Sequence, residues 1–199
     1  MSDRLRDLAR QSIALGHQML ALAAELDPAP EPTLDYPWVP GRYQGRGAQF
    51  AAAPDLVVIH SGHRSPGVAE YLARPNLERA VSAHFAWSSK RDALVQMEHV
   101  DRAAWHAGGS KFLGAGDANQ RSIGIELPGP WHLDPRPDDQ REQLRELLTA
   151  LRPHMAAHCY LTGHEFVRET KRDPGPGVDA SWFEGLGYDV IWRDCQEML

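Results

Sequence analysis

The sequence contains very little cysteine. Cys159 and Cys195 are the only two among 199 residues. Small secreted domains that depend on a disulfide framework carry many more cysteines, at closer spacing. A disulfide framework is therefore excluded as the basis of this fold. We expect both thiols to be free and buried, with a single bond between them as the alternative.

The chain also lacks long apolar runs and an excess of basic residues. No stretch approaches the roughly 18 consecutive apolar residues of a membrane span, and residues 1–26 lack the layout of a secretory signal. The formal net charge is −6, which argues against electrostatic binding of nucleic acid or of an anionic membrane. We expect a protein that is cytoplasmic as synthesised and binds neither.

The length of the chain suits one catalytic domain with an appendage. In residues 1–26, side chains spaced alternately by three and four would line one stripe of an amphipathic helix. These residues are Leu5, Leu8, Ser12, Leu15, Met19, Leu22 and Leu26. Such a helix either mediates self-association or partner binding, or folds back onto its own domain.

Proline is concentrated in one segment, residues 27–42. It stands at positions 28, 30, 32, 37 and 40. Proline interrupts helices and stiffens an extended backbone, so this segment is predicted to be a connector. The catalytic domain would then span residues 43–199.

Strand and helix patterns alternate along that domain. Short apolar runs predict strands at residues 56–59, 83–88, 93–98 and 122–127. A helix is predicted over 137–158, kinked or ended by Pro153, with weaker helices at 67–80 and 180–186. The pattern favours an α/β fold, in which a mixed central sheet is flanked by helices.

Two histidines and one aspartate have the composition of a catalytic zinc site. Such a site uses three protein ligands and leaves one coordination position for water. His60 ends a predicted strand, and Asp173 follows His164 by nine residues. The segment 171–176 is rich in proline and glycine, so it is predicted to be a loop that lets His164 and Asp173 meet.

Several segments resemble those of a known family, the zinc N-acetylmuramoyl-L-alanine amidases. This family includes phage lysozyme-type amidases, cytosolic anhydro-muropeptide amidases and animal peptidoglycan recognition proteins. The matching segments are Val57–His60, Ser82–Phe85, Ala104–Gly108, Asn119, Ser122–Leu127, Thr162–His164 and Lys171–Pro176. The resemblance implies an amidase/peptidoglycan-recognition-protein-like fold, here with an extra N-terminal helix.

The resemblance also implies roles for single residues. His60, His164 and Asp173 would bind one Zn²⁺ per chain, and Glu126 would be the catalytic acid and base. A carboxylate beside the metal can take a proton from water and pass it to the departing amine. Lys171 would stabilise the oxyanion with its fixed positive charge. Without the surrounding motifs, Glu126 would be read as an ordinary strand carboxylate.

Four further residues are candidates for substrate binding. Trp105 and His106 would form a wall of the glycan-peptide groove, since an aromatic face packs on sugar. The alternative for Trp105 is a place in the core. His84 is implied to lie near the metal ligands or on the substrate side, with a structural histidine as the alternative. Asn119 is one of the matching positions and is also assigned to substrate binding.

Hydrolysis of the amide bond between N-acetylmuramic acid and L-alanine is the implied function. The main hypothesis is an endolysin-like enzyme that degrades peptidoglycan and reaches the cell wall through a holin or lysis. One alternative is a cytosolic recycling amidase that acts on anhydro-muropeptides. The other is a non-catalytic peptidoglycan-binding module, but a binder has no need of an open zinc site.

Overall fold

The computed structural model describes residues 34–62, 67–129 and 138–192. The predicted helix of residues 1–26 and the start of the connector, residues 27–33, lie outside the described residues, as does Cys195. Cys159 is a buried free thiol, as expected.

A six-stranded mixed sheet organises the described part of the chain. Its strands are β1 (Leu56–Ser61), β2 (Phe85–Ser88), β3 (Ala93–Gln96), β6 (Ser122–Leu127), β7 (Tyr160–Gly163) and β8 (Asp189–Ile191). Their order is β3-β2-β6-β1-β7-β8. The pair β2 and β3 is antiparallel, and the other neighbours are parallel. A separate two-stranded sheet contains β4 (Lys111–Phe112) and β5 (Ala115–Gly116).

The helices are short apart from one. They are α1 (Val68–Leu72), α2 (Asp138–Leu151) and α3 (His164–Val167), with 3₁₀ turns at Ala118–Gln120, Arg152–His154 and Ala180–Phe183. The α-helix predicted over 137–158 ends at Leu151, and Pro153 lies in the following 3₁₀ turn, because proline cannot continue the helical hydrogen bonding. The helices predicted at 67–80 and 180–186 shrink to α1 and a 3₁₀ turn. No helix among the described residues is long and apolar enough to cross a membrane.

The central strand β1 is buried on both faces. Val57 and Ile59 pack in one cluster with Leu144 and the other inward leucines of α2, whose spacing places them on one helical face. Val58 packs on the opposite face in a second cluster that includes Ala107 and Phe112. Alternation along a strand puts His60 on the same face as Val58. The first face thus anchors the sheet, and the second carries the site.

The second half of the predicted connector lies along the edge of the sheet. The backbone N–H of Val39 donates to the carbonyl of Gln96 (2.9 Å), and the N–H of Gln96 donates to the carbonyl of Pro37 (3.0 Å). Leu34 and Tyr36 pack against the main core. Residues 34–39 therefore cover the edge strand β3, which would otherwise expose unpaired backbone groups.

Candidate metal centre

His60, His164 and Asp173 converge at the carboxyl ends of β1 and β7. These strands run parallel with Ile59 paired to Gly163, so the histidine that follows each of these residues leaves the sheet at the same edge. The two Nδ1 atoms are 2.9 Å apart. Asp173 Oδ2 lies 3.0 Å from His164 Nδ1 and 3.6 Å from His60 Nδ1. The sequence prediction that these three residues meet is confirmed.

Backbone contacts hold the loop that carries Asp173. The N–H of Glu165, in the first turn of α3, donates to the carbonyl of Asp173 (3.0 Å). The N–H of Ser61 also reaches Asp173 Oδ2 (3.4 Å). A Cβ at Gly163 would come within 2.8 Å of the ring of Pro174. Glycine at this position therefore permits the loop to close on the end of β7.

The pKa values of His60 and Asp173 are shifted towards the protonation states that metal binding requires. The pKa of His60 is lowered to about 4, first by burial and then by the neighbouring His164, against the opposing effect of Asp173. Burial alone would raise the pKa of Asp173, but the hydrogen bond with His164 and the adjacent His60 outweigh it and hold this pKa well below its usual range. A neutral imidazole and a carboxylate are metal ligands in these states, so the cluster can hold a metal ion.

Glu126 lies beside this cluster on the neighbouring strand β6. Its Cα is paired with that of His60 in the parallel ladder, so both side chains are on the same face of the sheet. Burial raises the pKa of Glu126 to about 8; the charge of Asp173 adds to this shift and that of Lys171 opposes it. Lys171 is half-buried, two residues before Asp173 in the same loop.

A cleft of about 1300 Å³ opens over the candidate metal centre. Its lining is rich in cations, although the whole chain has a formal net charge of −6. The basic lining residues are Arg74, Arg79, Arg168, Lys171 and Arg172, against the acidic residues Glu126 and Asp173. The cleft therefore favours an anionic ligand, since charge of one sign in a concave site concentrates the opposite charge.

Trp105 and His106 line the cleft, but neither is free of structural contacts. Trp105 is half-buried and its ring lies 6.3 Å from that of Tyr43, so it belongs to both the wall and the core. His106 Nδ1 lies 2.9 Å from His60 Nε2, and His106 Nε2 lies 3.1 Å from Ser122 Oγ. Both ring nitrogens of His106 are thus occupied inside the protein.

The structure corrects the expectation that His84 and Asn119 contact substrate. His84 is 0% exposed; its Nδ1 accepts from the N–H of Gly124 (3.0 Å), and its Nε2 lies 2.7 Å from the carbonyl of Arg102. Asn119 Oδ1 accepts from the N–H groups of His106 and Ala107, and its amide donates to the carbonyl of Gly108. Both side chains therefore form hydrogen bonds with backbone groups near the site and hold that backbone in place.

Sequence reasoning missed Ser122 and Arg168. Ser122 was noted only as part of a motif, and nothing in the sequence shows that its hydroxyl meets His106. Arg168 lines the cleft from the loop after α3. Within residues 34–62, 67–129 and 138–192, its guanidinium has no ion-pair partner. The sequence could have indicated Arg168, because it follows the proposed ligand His164 by four residues. This spacing is about one helical turn and places the two side chains on the same side of a helix.

A family model described as N-acetylmuramoyl-L-alanine amidase matches residues 50–176. The chain belongs to this amidase family. It is 37% identical over 136 residues to 1,6-anhydro-N-acetylmuramyl-L-alanine amidase AmpD of Citrobacter freundii. That alignment covers 67% of this chain and 71% of the relative. This chain is 39% identical over 111 residues to the protein of the same name from Enterobacter cloacae, covering 52% and 59% of the two chains. This last match leaves about two fifths of the relative unmatched.

A solved structure supports the fold of this amidase family member. The crystal structure of a selenomethionine AmpD derivative aligns with a TM-score of 0.63 and 30% identity, and covers 78% of this chain and 97% of that one. The predicted amidase-like α/β fold is thereby confirmed for the sheet and its flanking helices.

Proposed function

We propose that this chain is a zinc-dependent amidase that cleaves the bond between the lactyl group of N-acetylmuramic acid and L-alanine in soluble 1,6-anhydro-muropeptides. The observation that carries this proposal is the cluster of His60, His164 and Asp173, beside Glu126 and at the base of a cleft. The relatives named above support the recycling type of substrate more strongly than the endolysin hypothesis.

Zinc is the metal we propose for the cluster. Two imidazoles and one carboxylate are a donor set of catalytic zinc sites. The described residues that converge here supply three protein donors and open into the cleft. When bound, zinc lowers the pKa of water to about 7 and polarises a carbonyl group.

Glu126 is proposed to move the proton. It shares a face of the sheet with His60, so its carboxylate is close to where water and the amide would meet. As a base it takes a proton from the attacking water, and as an acid it returns this proton to the amine of L-alanine as the C–N bond breaks. Its raised pKa, about 8 without a metal ion, suits the acid step. A bound cation would lower this pKa towards the range a base needs.

Lys171 is proposed to stabilise the charge that develops on the carbonyl oxygen. Lys171 stands two residues before Asp173 in the same loop and lines the cleft. Its charge lowers the pKa of both His60 and Glu126, so it acts on the site electrostatically. A preorganised cation of this kind typically contributes about a hundredfold or more to the rate.

The cationic lining of the cleft fits the peptide part of a muropeptide. A free stem peptide ends in a carboxylate, and Arg168 has no ion-pair partner among the described residues that would compete for it. Carboxylate and guanidinium form paired, charge-assisted hydrogen bonds. We therefore propose that Arg168 and neighbouring arginines of the cleft bind carboxylates of the stem peptide.

The proposal is tested by comparing two substrates at equal amide concentration. The zinc-loaded chain is incubated with a purified 1,6-anhydro-muropeptide or with purified sacculi, and the products are identified by mass spectrometry. We expect 1,6-anhydro-N-acetylmuramic acid and free peptide, with much slower release from sacculi. Faster release from sacculi would support the endolysin hypothesis instead. Binding without any cleavage would support the non-catalytic module.

A further inference from the structure

We propose that His106 and Ser122 are positioning residues that fix which nitrogen of His60 faces the metal. The three residues form a chain of hydrogen bonds, here called the His60 relay. His60 Nε2 contacts His106 Nδ1 (2.9 Å), and His106 Nε2 contacts Ser122 Oγ (3.1 Å). The hydroxyl of Ser122 in turn donates to the carbonyl of Ala118 (2.5 Å). This inference rests on the proposed metal site.

The direction of the His60 relay is set at its far end. The carbonyl of Ala118 can only accept, so it takes the single proton of the Ser122 hydroxyl. Ser122 Oγ must then accept from His106 Nε2–H. A neutral imidazole carries one proton, which leaves His106 Nδ1 as an acceptor for His60 Nε2–H. His60 Nδ1 is thereby left with a lone pair, pointing at His164 and Asp173.

The packing around His106 holds the ring in this arrangement. A Cβ at Gly124 would lie within 2.7 Å of three ring atoms of His106, so glycine in β6 makes room for the imidazole. The N–H groups of His106 and Ala107 both donate to Asn119 Oδ1 (3.1 and 2.8 Å). The ring therefore has support from the backbone, from β6 and from both of its nitrogens.

The same loop orients the second histidine of the cluster. His164 Nε2 lies 3.4 Å from the carbonyl of Ala107, which can only accept and so would take the Nε2–H of His164 when its Nδ1 binds the metal. Consecutive residues of one loop thus present acceptors to the remote nitrogens of both histidines. Both Nδ1 lone pairs would then be available to the metal together with the carboxylate of Asp173. Partners of this kind commonly change metal affinity 10- to 100-fold.

The first test measures protonation in the metal-free chain. Long-range ¹H–¹⁵N correlation spectra distinguish the two neutral forms of each histidine. We expect His60 and His106 to carry their proton on Nε2 at neutral pH. A proton on His60 Nδ1 would overturn the inference. This measurement needs no bound metal, so it decides on the relay even if the chain proves not to bind zinc, an outcome that would defeat the proposed function.

The second test measures zinc affinity by competition with a chromophoric chelator. His106→Phe keeps a ring but removes the acceptor, and Ser122→Ala removes the end of the relay; we expect affinity to fall by roughly tenfold or more. His106→Asn restores an acceptor near the position of Nδ1 and should recover much of the loss. The matched control is Ser88→Ala, because Ser88 is also buried and donates its hydroxyl to Glu70 (2.6 Å), but lies outside the relay. Unchanged affinity in His106→Phe would overturn the inference.

Discussion

His60 and Glu126 are direct neighbours in the parallel ladder between β1 and β6. In such a ladder, paired residues lie on the same face of the sheet, about 4.8 Å apart across the strands. The proposed ligand and the proposed acid–base group are therefore placed by the most buried part of the fold. Their relative position depends on the sheet register more than on any loop.

Replacing Glu126 by Gln should separate catalysis from metal binding. The amide keeps the size and polarity of the carboxyl group but cannot take up the proton of water. We expect hydrolysis of an anhydro-muropeptide to fall by about 10²–10⁴-fold, with zinc content unchanged. Product release followed by chromatography and metal analysis of the same sample check this. A Glu126→Gln protein with near-normal turnover would remove Glu126 from the mechanism.

Replacing Asp173 by Asn should weaken metal binding. Asp173 Oδ2 is within 3.6 Å of both histidine Nδ1 atoms, and the substitution removes the only negative charge among the three donors. We expect zinc affinity to fall by at least an order of magnitude, because the neutral amide is a poorer zinc ligand. Chelator competition measures the change. Wild-type affinity in this variant would mean that the metal, if any, is bound elsewhere.

Arg168→Ala should weaken substrate binding and leave the chemical step nearly intact. A charge-assisted hydrogen bond contributes about 1.5–3 kcal/mol, so KM should rise roughly tenfold or more while kcat changes little. Steady-state kinetics on the anhydro-muropeptide check this expectation. The control is Arg91→Ala, since Arg91 is exposed and does not line the cleft. Equal KM values for the two variants would contradict the proposed role of Arg168.

The buried His84 should make the metal-free protein sensitive to acid. Its Nδ1 accepts the backbone N–H of Gly124. Protonation of Nδ1 would replace this hydrogen bond by two N–H groups that face each other. Burial lowers the pKa of His84 to about 4, from about 6.5 for an exposed histidine. The unfolded chain therefore takes up the proton first as the pH falls, and the free energy of unfolding decreases between pH 6.5 and about 4. His84 alone accounts for about 3 kcal/mol of this loss.

This contribution can be isolated with His84→Asn, which keeps an acceptor for Gly124 but does not titrate. Urea unfolding of the metal-free proteins at pH 7, 6 and 5 gives the slope of stability against pH. The variant is expected to be less stable at pH 7, with a slope that is shallower by up to about 1.4 kcal/mol per pH unit. Parallel curves for the two proteins would show that His84 does not remain neutral.

Sequence patterns predicted the parts of the site that follow regular elements. His60 and Glu126 are each the next-to-last residue of a strand whose apolar run is plain in the sequence. The strand β6 was predicted with the bounds it has. The strands β7 and β8 were missed, because Tyr160–Gly163 and Asp189–Ile191 are too short for a period-2 pattern to stand out. The contacts of His84, Asn119 and Ser122 depend on how separate segments pack, which spacing along the chain does not encode.

The central claim is that His60, His164 and Asp173 hold one zinc ion that hydrolysis requires. Its most direct test is the metal content and activity of one preparation, measured as purified, after removal of metal by a chelator, and after return of zinc. The account predicts about one zinc per chain, loss of anhydro-muropeptide cleavage with the metal, and recovery at one equivalent. Full activity in the metal-free protein would contradict it.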